Sequence, residues 1–348
     1  MGTMTHQERF LATIERRAVD RPACWLGLPV PDSFARLFDY FKVKDMAGLK
    51  AAVDDDLWPV ELPYHSPTSD AIYMAFDFGK KGKVKEEERT LNAPGFFEYY
   101  SEPDRIDEFD WPEPEKYIAP DECRAVVESA PEDYAVIGVV WSAHFQDACA
   151  AFGMQTALVK MVIEPEMFRV VIDRITDFYL RANRIFLEAT RGKLDAVLIG
   201  NDFGSQTGLM LAPDLIREHV WPGTKALIEQ ANSFGVKVIH HACGSIHELI
   251  PDLIDLGADA IHPIQALALN MDAKRLREDF AGKVSFCGGV DAQQLLVNGT
   301  PEEIEEKVHE LQELFPTGLI ISPSHEAILP DIDPANVEAL FRAAHECP

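Results

Sequence analysis

The sequence predicts an α/β protein, a single (β/α)8 TIM-barrel domain over residues 1–348 with decorations on its N-terminal side. Two observations lead to this prediction. In the C-terminal half, short β-branched runs alternate with amphipathic helical stretches, a pattern typical of parallel strands joined by right-handed crossovers. The whole chain contains about eight predicted strands, the number of strands in a TIM barrel.

The N-terminal half is less regular, and its elements are predicted one by one. Apolar runs predict strands at Ala23–Leu28, Leu57–Leu62 and Ala135–Val140, the last being the clearest. The charged, Gly-punctuated stretch Lys80–Phe97 is typical of a hairpin or flap, and the Pro- and Asp-rich Glu102–Pro120 of a surface excursion. A helical tract then covers Met154–Thr190, with a break near Pro165.

In the C-terminal half, stretches with the periodicity of a strand alternate with stretches that have the periodicity of a helix. The predicted strands are Ala196–Gly200, Val236–His240, Ala260–His262, Val284–Phe286 and Leu319–Ser322. The predicted helices are Pro213–Phe234, His247–Leu256, Lys274–Phe280, Pro301–Phe315 and Pro334–His345. Thr300 and Glu303 can form a capping box, and Gly235 and Gly257 stand where C-terminal caps are expected.

Composition and charge exclude several classes of function. With 32 basic and 58 acidic residues the net charge is −26, which repels phosphate backbones and argues against a nucleic-acid partner. It also argues against a polycarboxylate substrate unless basic residues cluster locally. The N-terminus lacks a signal-peptide pattern, and the apolar runs are too short for a membrane span. The six scattered cysteines are typical of reduced thiols, so we expect a cytoplasmic protein without membrane contact.

Residues that carry chemistry follow four of the predicted strands. In a TIM barrel the working groups lie where the strands end, so these side chains are expected at one mouth. They are Asp202, His241, Cys243, Cys287 and His325.

His241 and Cys243 are two residues apart, so in extended backbone their side chains share a face. An imidazole with a thiolate suits zinc, and the thiolate disfavours magnesium or calcium. A catalytic zinc needs about three protein ligands, and Cys287 and His325 are the candidates to complete the set. A lone His241 would more often be a packed core residue, and Cys287 is equally well interpreted as pocket wall.

Other residues at the predicted mouth have two interpretations each. Asp202 can orient substrate or act as an acid or base, but it can also cap the helix near Pro213. His262 either lines the mouth or packs. One wall of the substrate pocket can be formed by Trp141, His144 and Gln146.

Short motifs, in their order and spacing, resemble the uroporphyrinogen decarboxylase superfamily over nearly the whole chain. They are Arg9-Phe10-Leu11, Asp20-Arg21-Pro22, Asp202-Phe203-Gly204, Leu211-Ala212-Pro213, His241-Ala242-Cys243-Gly244, Gly288-Gly289-Val290-Asp291 and Pro323-Ser324-His325. The resemblance implies a TIM barrel and, within the superfamily, one of two chemistries.

The first chemistry is decarboxylation of a tetrapyrrole. True decarboxylases of the superfamily grip the propionates with an Arg-rich N-terminal motif, whereas the corresponding stretch here, Trp25-Leu26-Gly27-Leu28-Pro29, has no arginine. Binding a polyanion without those arginines carries a large desolvation and repulsion cost. A decarboxylase-like lyase acting without cofactor is therefore the alternative interpretation.

The second chemistry is that of zinc methyltransferases that work with corrinoid proteins. Their pattern is His-x-Cys on one strand and a distant Cys at the last strand end, and here His325 stands in place of that last Cys. The resemblance implies Zn²⁺ held by His241, Cys243 and His325. It also implies methyl transfer between a small methoxy, methylamine or thiol substrate and a corrinoid carried by a separate protein.

In this hypothesis Asp202 and Gln206 position the substrate, and Glu326 lines the same mouth as a substrate-binding residue or occasional fourth ligand. The sequence leaves a zinc-dependent lyase or hydrolase and a non-catalytic binding protein as further alternatives.

Overall fold

The computed structural model describes residues 3–79 and 93–346. Most of the predicted flap at Lys80–Phe97 lies outside the described residues. The strands in the described part are, in chain order, β1 (Leu57–Glu61), β2 (Ala135–Trp141), β3 (Ala196–Gly200), β4 (Gly204–Ser205), β5 (Gly208–Leu209), β6 (Lys237–His241), β7 (Ala260–Ile264), β8 (Ser285–Val290) and β9 (Leu319–Pro323).

Seven strands form one parallel sheet in the order β1-β2-β3-β6-β7-β8-β9, while β4 and β5 form a separate antiparallel pair. Each neighbour in the sheet is also the next long strand along the chain. Parallel neighbours of this kind need a crossover connection, and helices supply it here. The sheet curls into a TIM-barrel-like arrangement, which confirms the predicted fold class.

The helices surround this sheet and also decorate its N-terminal side. They are α1 (His6–Ile14), α2 (Pro31–Phe41), α3 (Met46–Val53), α4 (Pro114–Tyr117), α5 (Pro120–Glu128), α6 (His144–Phe152), α7 (Met154–Ile163), α8 (Pro165–Ala189), α9 (Pro213–His219), α10 (Trp221–Ser233), α11 (Ile250–Leu256), α12 (Ala273–Phe280), α13 (Leu295–Asn298), α14 (Pro301–Leu314) and α15 (Pro334–His345). Short 3-10 turns lie at Ile72–Met74, Pro103–Glu108 and His247–Leu249.

Helix ends follow the local sequence. The capping box of α14 forms as predicted, because the Thr300 side chain accepts from the Glu303 N–H and the Glu303 side chain accepts from the Thr300 N–H. The predicted helix Pro213–Phe234 is instead two helices that meet at Val220. The helical tract after β2 breaks at Glu164, directly before Pro165, as the proline predicts.

The first predicted strand, Ala23–Leu28, closes the barrel but is not a full strand. A single parallel bridge joins Cys24 to Ile321 of β9. On the other side, the Cys24 carbonyl accepts from the N–H of Asp56, directly before β1, at 2.9 Å. Beyond Gly27, whose backbone is left-handed (φ 84°), the chain pairs with the loop after β9, where the Leu28 N–H donates to the Glu326 carbonyl at 2.6 Å. The segment therefore lies between the last and first strands, although the prediction of a regular strand there was wrong.

Strand β8 is longer than the predicted Val284–Phe286 and continues to Val290. Gly288 and Gly289 indicated a loop, yet both lie in the strand with φ of 123° and 104°. A Cβ on Gly288 would lie 2.6 Å from the backbone nitrogen of Ile264, so glycine is needed for the close approach of β7. Cys287 consequently lies within the strand and not at its end.

Apolar side chains fill the space inside the barrel and the layer between sheet and helices. The interior cluster includes Phe10, Trp25, Ile137, Val139, Leu198, Ile239, Cys287 and Ile320, all essentially buried. A second, larger cluster packs the helices onto the outer face of the sheet. Among the described helices, none combines the length and the apolar character that a membrane crossing requires.

A buried ion network holds the N-terminal end of the barrel. Asp56 is fully buried and pairs with Arg9 at 2.6 Å and with Arg21 at 2.7 Å. Arg9 also pairs with Asp20 at 2.8 Å. A cavity of about 480 Å³ lies beside these residues, but its arginines are already occupied by carboxylates. Within the described part of the chain, both arginines that line this cavity are therefore engaged by the network and are not free to bind a ligand.

Candidate metal centre

The candidate centre lies where neighbouring strands end. The strand register pairs Gly200 of β3 with His241 of β6, and His241 with His262 of β7. The loop after β9 adds His325 and Glu326. Because parallel strands end at one edge, these positions meet at the C-terminal mouth of the barrel.

Glycines allow the strands and loops of the centre to approach closely. A Cβ on Gly200 would lie 2.0 Å from the carbonyl oxygen of His241. In the loops that follow, Gly204 and Gly244 pack backbone against backbone, and a Cβ on Gly244 would lie 2.4 Å from Gly204. These contacts fix the loop after β3 against the loop after β6, and so bring their side chains together.

One group of possible metal ligands consists of Asp202, His241 and Cys243. The Cys243 sulfur lies 3.4 Å from Nε2 of His241, and Oδ1 of Asp202 lies 3.3 Å from the same nitrogen. The Cys243 backbone N–H donates to Oδ1 of Asp202 at 2.9 Å, which holds the carboxylate in place. The ligand atoms of all three residues lie within 4.8 Å of one another, close enough to share an ion.

A second group shares His241 through its other ring nitrogen and adds His262 and Glu326. Nδ1 of His241 lies 2.9 Å from Nδ1 of His262 and 3.6 Å from Oε2 of Glu326. Nε2 of His262 and Oε2 of Glu326 are buried without a hydrogen-bond partner among the described residues. Buried polar atoms without a partner are costly, so these two atoms suit a ligand. The Glu326 loop is fixed by Gly27, where a Cβ would lie 2.2 Å from the Glu326 carbonyl oxygen.

Charge is concentrated around His241. Burial alone would lower the pKa of His241, but the neighbouring Asp202, Cys243 and Glu326 raise it well above its usual value. Burial alone would raise the pKa of Asp202, but hydrogen bonds and the charge of His241 lower it to about 2. Burial and the charge of His241 lower the pKa of His262 well below its usual value. The lowered pKa favours the neutral form of His262, the form in which imidazole binds a metal.

His325 lies beside these groups but in neither of them. Its ring stands edge-on to the His241 ring, with centroids 6.5 Å apart. The Ala327 backbone N–H donates to Nδ1 of His325 at 3.1 Å, so a neutral His325 carries its proton on Nε2. A hydrogen bond with Cys243 raises the pKa of His325. Asp202, which the sequence predicted as a substrate-positioning residue, joins His241 and Cys243 in the metal-ligand group, while His325 contacts Cys243 from outside that group.

Two predicted site residues lie away from the centre. Cys287 is fully buried inside the barrel, where its sulfur lies 3.5 Å from Oγ of Ser322, and burial raises its pKa to about 12. His144 is buried in the helix layer, with its ring nitrogens 3.1 Å from the carbonyl of Ser142 and 3.2 Å from that of Val220. Cys287 is therefore in neither metal-ligand group, and His144, predicted as a wall of the substrate pocket, does not line the cavity beside Cys243.

Trp141, at the end of β2, contacts the centre directly. Its ring stands edge-on to His241 with centroids 5.5 Å apart, and its backbone is left-handed (φ 50°), a strained conformation for a bulky residue. Nε2 of Gln146 donates to Oδ2 of Asp202 at 3.1 Å. Gln206 is exposed on the hairpin of β4 and β5 and contributes its backbone carbonyl to Leu269.

A small cavity of about 180 Å³ opens beside Asp202 and Cys243. Its other walls are Phe145, Gln146, Cys149, Met154, Gly204 and Met210. Sequence reasoning missed the two methionines and interpreted Cys149 as an apolar filler. Nothing in their local pattern could have identified them, because each lies on a different element and they meet only in the fold.

Comparison with known proteins adds a family and a fold. A family model described as uroporphyrinogen decarboxylase (URO-D) matches residues 69–347. Uroporphyrinogen decarboxylase from Chlorobaculum parvum is 28% identical over 193 residues, which cover 53% of this chain and 51% of that protein. The Chlorobaculum tepidum protein of the same name is 26% identical over the same length. The chain therefore spans about half the length of the curated relatives that it matches.

A solved structure described as a methyltransferase from Methanosarcina mazei matches 98% of this chain and 98% of its own, with a TM-score of 0.68 and 18% identity. At this identity the similarity establishes the shared barrel fold.

Proposed function

The chain belongs to the uroporphyrinogen decarboxylase family, and we propose that it is a zinc-dependent methyltransferase. It would move a methyl group between a small methoxy, methylamine or thiol substrate and the corrinoid of a partner protein. The observation that carries the proposal is the convergence of a thiol, an imidazole and a carboxylate at the barrel mouth.

The donor set of the centre fits zinc. Cys243 supplies a sulfur, His241 a ring nitrogen and Asp202 a carboxylate oxygen, which are the ligand types of catalytic zinc sites. A thiolate ligand disfavours magnesium and calcium. His262 and Glu326 lie on the Nδ1 side of His241, in the second group, and so are not counted in this ligand set. Three protein ligands leave a position for the substrate heteroatom.

Some residues of the chain would hold the zinc, and others would orient those ligands. When bound, zinc supplies Lewis-acid activation of the substrate heteroatom. Asp202 fixes Cys243 through its backbone N–H and is itself held by Gln146. His325 forms a hydrogen bond with Cys243 and so restricts the position of that side chain. Trp141 packs against His241 and restricts the orientation of the ring.

The decarboxylase alternative has less support from the residues at the mouth. Decarboxylation of a tetrapyrrole requires cations for its carboxylates. The described lining of the cavity beside Cys243 contains no lysine or arginine. Arg9 and Arg21 cannot serve, because Asp20 and Asp56 already hold them in the network before β1. The fold match over nearly the full chain to a protein described as a methyltransferase supports the same choice.

Methyl exchange with free methylcobalamin tests the proposal. Zinc-loaded protein is incubated with methylcobalamin and 1-propanethiol, and loss of the methylcobalamin spectrum and formation of the methyl thioether are followed. We expect turnover that is lost in Cys243→Ala and retained in Cys123→Ala, a buried cysteine on α5. Carbon dioxide release from uroporphyrinogen without any methyl exchange would instead establish the decarboxylase.

A further inference from the structure

The cavity beside Cys243 has a composition that restricts what can enter it. Phe145, Cys149, Met154 and Met210 form apolar walls, while Asp202 and Cys243 border it on the side of the metal-ligand group. Methionine side chains are flexible and polarisable, so they adapt to the shape of a small apolar guest. The cavity thus combines an apolar body with one polar, metal-binding side.

The size of the cavity limits the guest. A cavity of about 150 Å³ in an apolar protein interior holds benzene. The cavity here measures about 180 Å³. A guest with a short alkyl chain or one aromatic ring therefore fits, whereas a tetrapyrrole macrocycle does not fit inside it.

The charge of the cavity lining disfavours anionic substrates. Among the described lining residues none is lysine or arginine, and the one ionisable oxygen group that borders the cavity is the Asp202 carboxyl. Lys160 of α7 is occupied by the Tyr100 carbonyl at 2.8 Å and by the Glu164 carboxylate. A carboxylate or sulfonate among the apolar walls would therefore lose its hydration without gaining a cationic side chain from the described lining residues.

A cationic substrate would also gain little binding energy in the cavity. Oδ1 of Asp202 is engaged by the Cys243 N–H and by Nε2 of His241, and Oδ2 is engaged by Gln146. In the proposed centre Asp202 is also a zinc ligand, so its negative charge is shared with the metal and has limited capacity to attract a second cation. The remaining walls are apolar.

We propose that this cavity binds the body of the substrate, and that this body is small, apolar and uncharged. The inference rests on the proposed function, since it takes Cys243 and its neighbours as the side that binds the substrate heteroatom. The substrate class is a neutral thiol, or a methyl ether or thioether, with an alkyl or single-ring substituent. Thiols that carry a carboxylate or sulfonate lie outside this class.

Methionine-methyl NMR of the zinc-loaded full chain tests the inference without measuring turnover. The chain has nine methionines, and ¹³C-methyl labels on Met154 and Met210, assigned with Met→Leu variants, report directly on cavity occupancy. The probes are 1-propanethiol, 3-mercaptopropionate and 2-mercaptoethanesulfonate, which share the thiol and differ in the charge of the tail. Met46 on α3 serves as a methyl outside the cavity.

We expect 1-propanethiol to shift both cavity methyls, leave Met46 unchanged, and bind at least about ten-fold more tightly than either anionic thiol. In Met210→Lys the added cation should reverse this preference toward 3-mercaptopropionate, whereas Met210→Leu should keep it. Equal affinities for neutral and anionic thiols, or no shift of either cavity methyl, would overturn the inference. A retained preference for the neutral thiol without methyl exchange would contradict the proposed methyl transfer and leave the cavity assignment standing.

Discussion

Gly200→Ala tests how the barrel positions the candidate ligand His241. The added Cβ would lie 2.0 Å from the carbonyl oxygen of His241 and 2.7 Å from its Cβ. Contacts of a Cβ below 3.0 Å are essentially never seen, so the carbonyl must retreat by at least 1.0 Å (3.0 − 2.0). That carbonyl accepts from the Asn201 N–H at 3.1 Å, and such a shift breaks the hydrogen bond.

The expected cost has two parts. Overpacking in a close-packed strand pair costs about 1–3 kcal/mol, and the lost backbone hydrogen bond costs about 1 kcal/mol. The free energy of unfolding should therefore fall by about 2–4 kcal/mol in urea denaturation. Because the His241 ring moves with its backbone and metal distances tolerate only about 0.2 Å, zinc affinity should fall by at least about ten-fold.

Gly282→Ala is the matched control. Gly282, unlike Gly200, has a left-handed backbone (φ 78°), and no atom lies within 4 Å of the added Cβ. Its substitution should cost about 1–2 kcal/mol of backbone strain and leave zinc affinity unchanged. If the free energy of unfolding of Gly200→Ala lies within about 0.5 kcal/mol of the parent value and its zinc affinity is unchanged, the proposed role of the close β3–β6 contact is wrong.

The remaining predictions concern the network before β1, the α14 cap and the carboxylate of the centre. Burial alone would raise the pKa of Asp56, but His6, Arg21 and Arg9 lower it to about 2, below its unfolded value. The stabilisation that ionised Asp56 gives the folded state is therefore present above the unfolded pKa and is lost as pH falls toward 2. Measurements of the free energy of unfolding at decreasing pH should show this loss in the parent but not in Asp56→Asn. At neutral pH, Asp56→Asn leaves two buried arginines without their shared carboxylate and should cost about 3–5 kcal/mol by urea denaturation. Thr300→Ala removes the α14 cap and should cost about 1 kcal/mol in the same assay. Asp202→Asn should weaken zinc binding by about 10–100-fold in a chelator competition, and unchanged affinity would remove Asp202 from the ligand set.

The regular part of the fold was predictable because strand and helix periods are local properties of the sequence. β3 has the predicted bounds, and the α14 cap forms at the predicted residues. The irregular conformation of the first barrel segment, Ala23–Leu28, was not predictable from the sequence. It depends on the left-handed Gly27, which packs against the distant Glu326 loop. The extent of β8 was missed for the same kind of reason, since Gly288 accommodates a neighbouring strand and does not end its own.

The candidate site was predictable where ligands follow a strand directly, and less so where a loop sets the side-chain direction. His241 and Cys243 lie together as their two-residue spacing indicates. The position of His325 depends on the N–H of Ala327, a loop contact that no pattern reveals. The burial of Oε2 of Glu326 without a hydrogen bond from the described residues is likewise a property of the assembled mouth and not of a local motif.

The metal content of the purified protein tests the central claim most directly. Parent protein, Cys243→Ala, His241→Ala and the control Cys123→Ala are prepared without chelators and analysed by mass spectrometry for zinc per chain. We predict about one zinc in the parent and in the control, and a loss of most of it in both ligand variants. A parent that takes up no zinc on reconstitution, or a His241→Ala variant that keeps the full amount, would contradict the account.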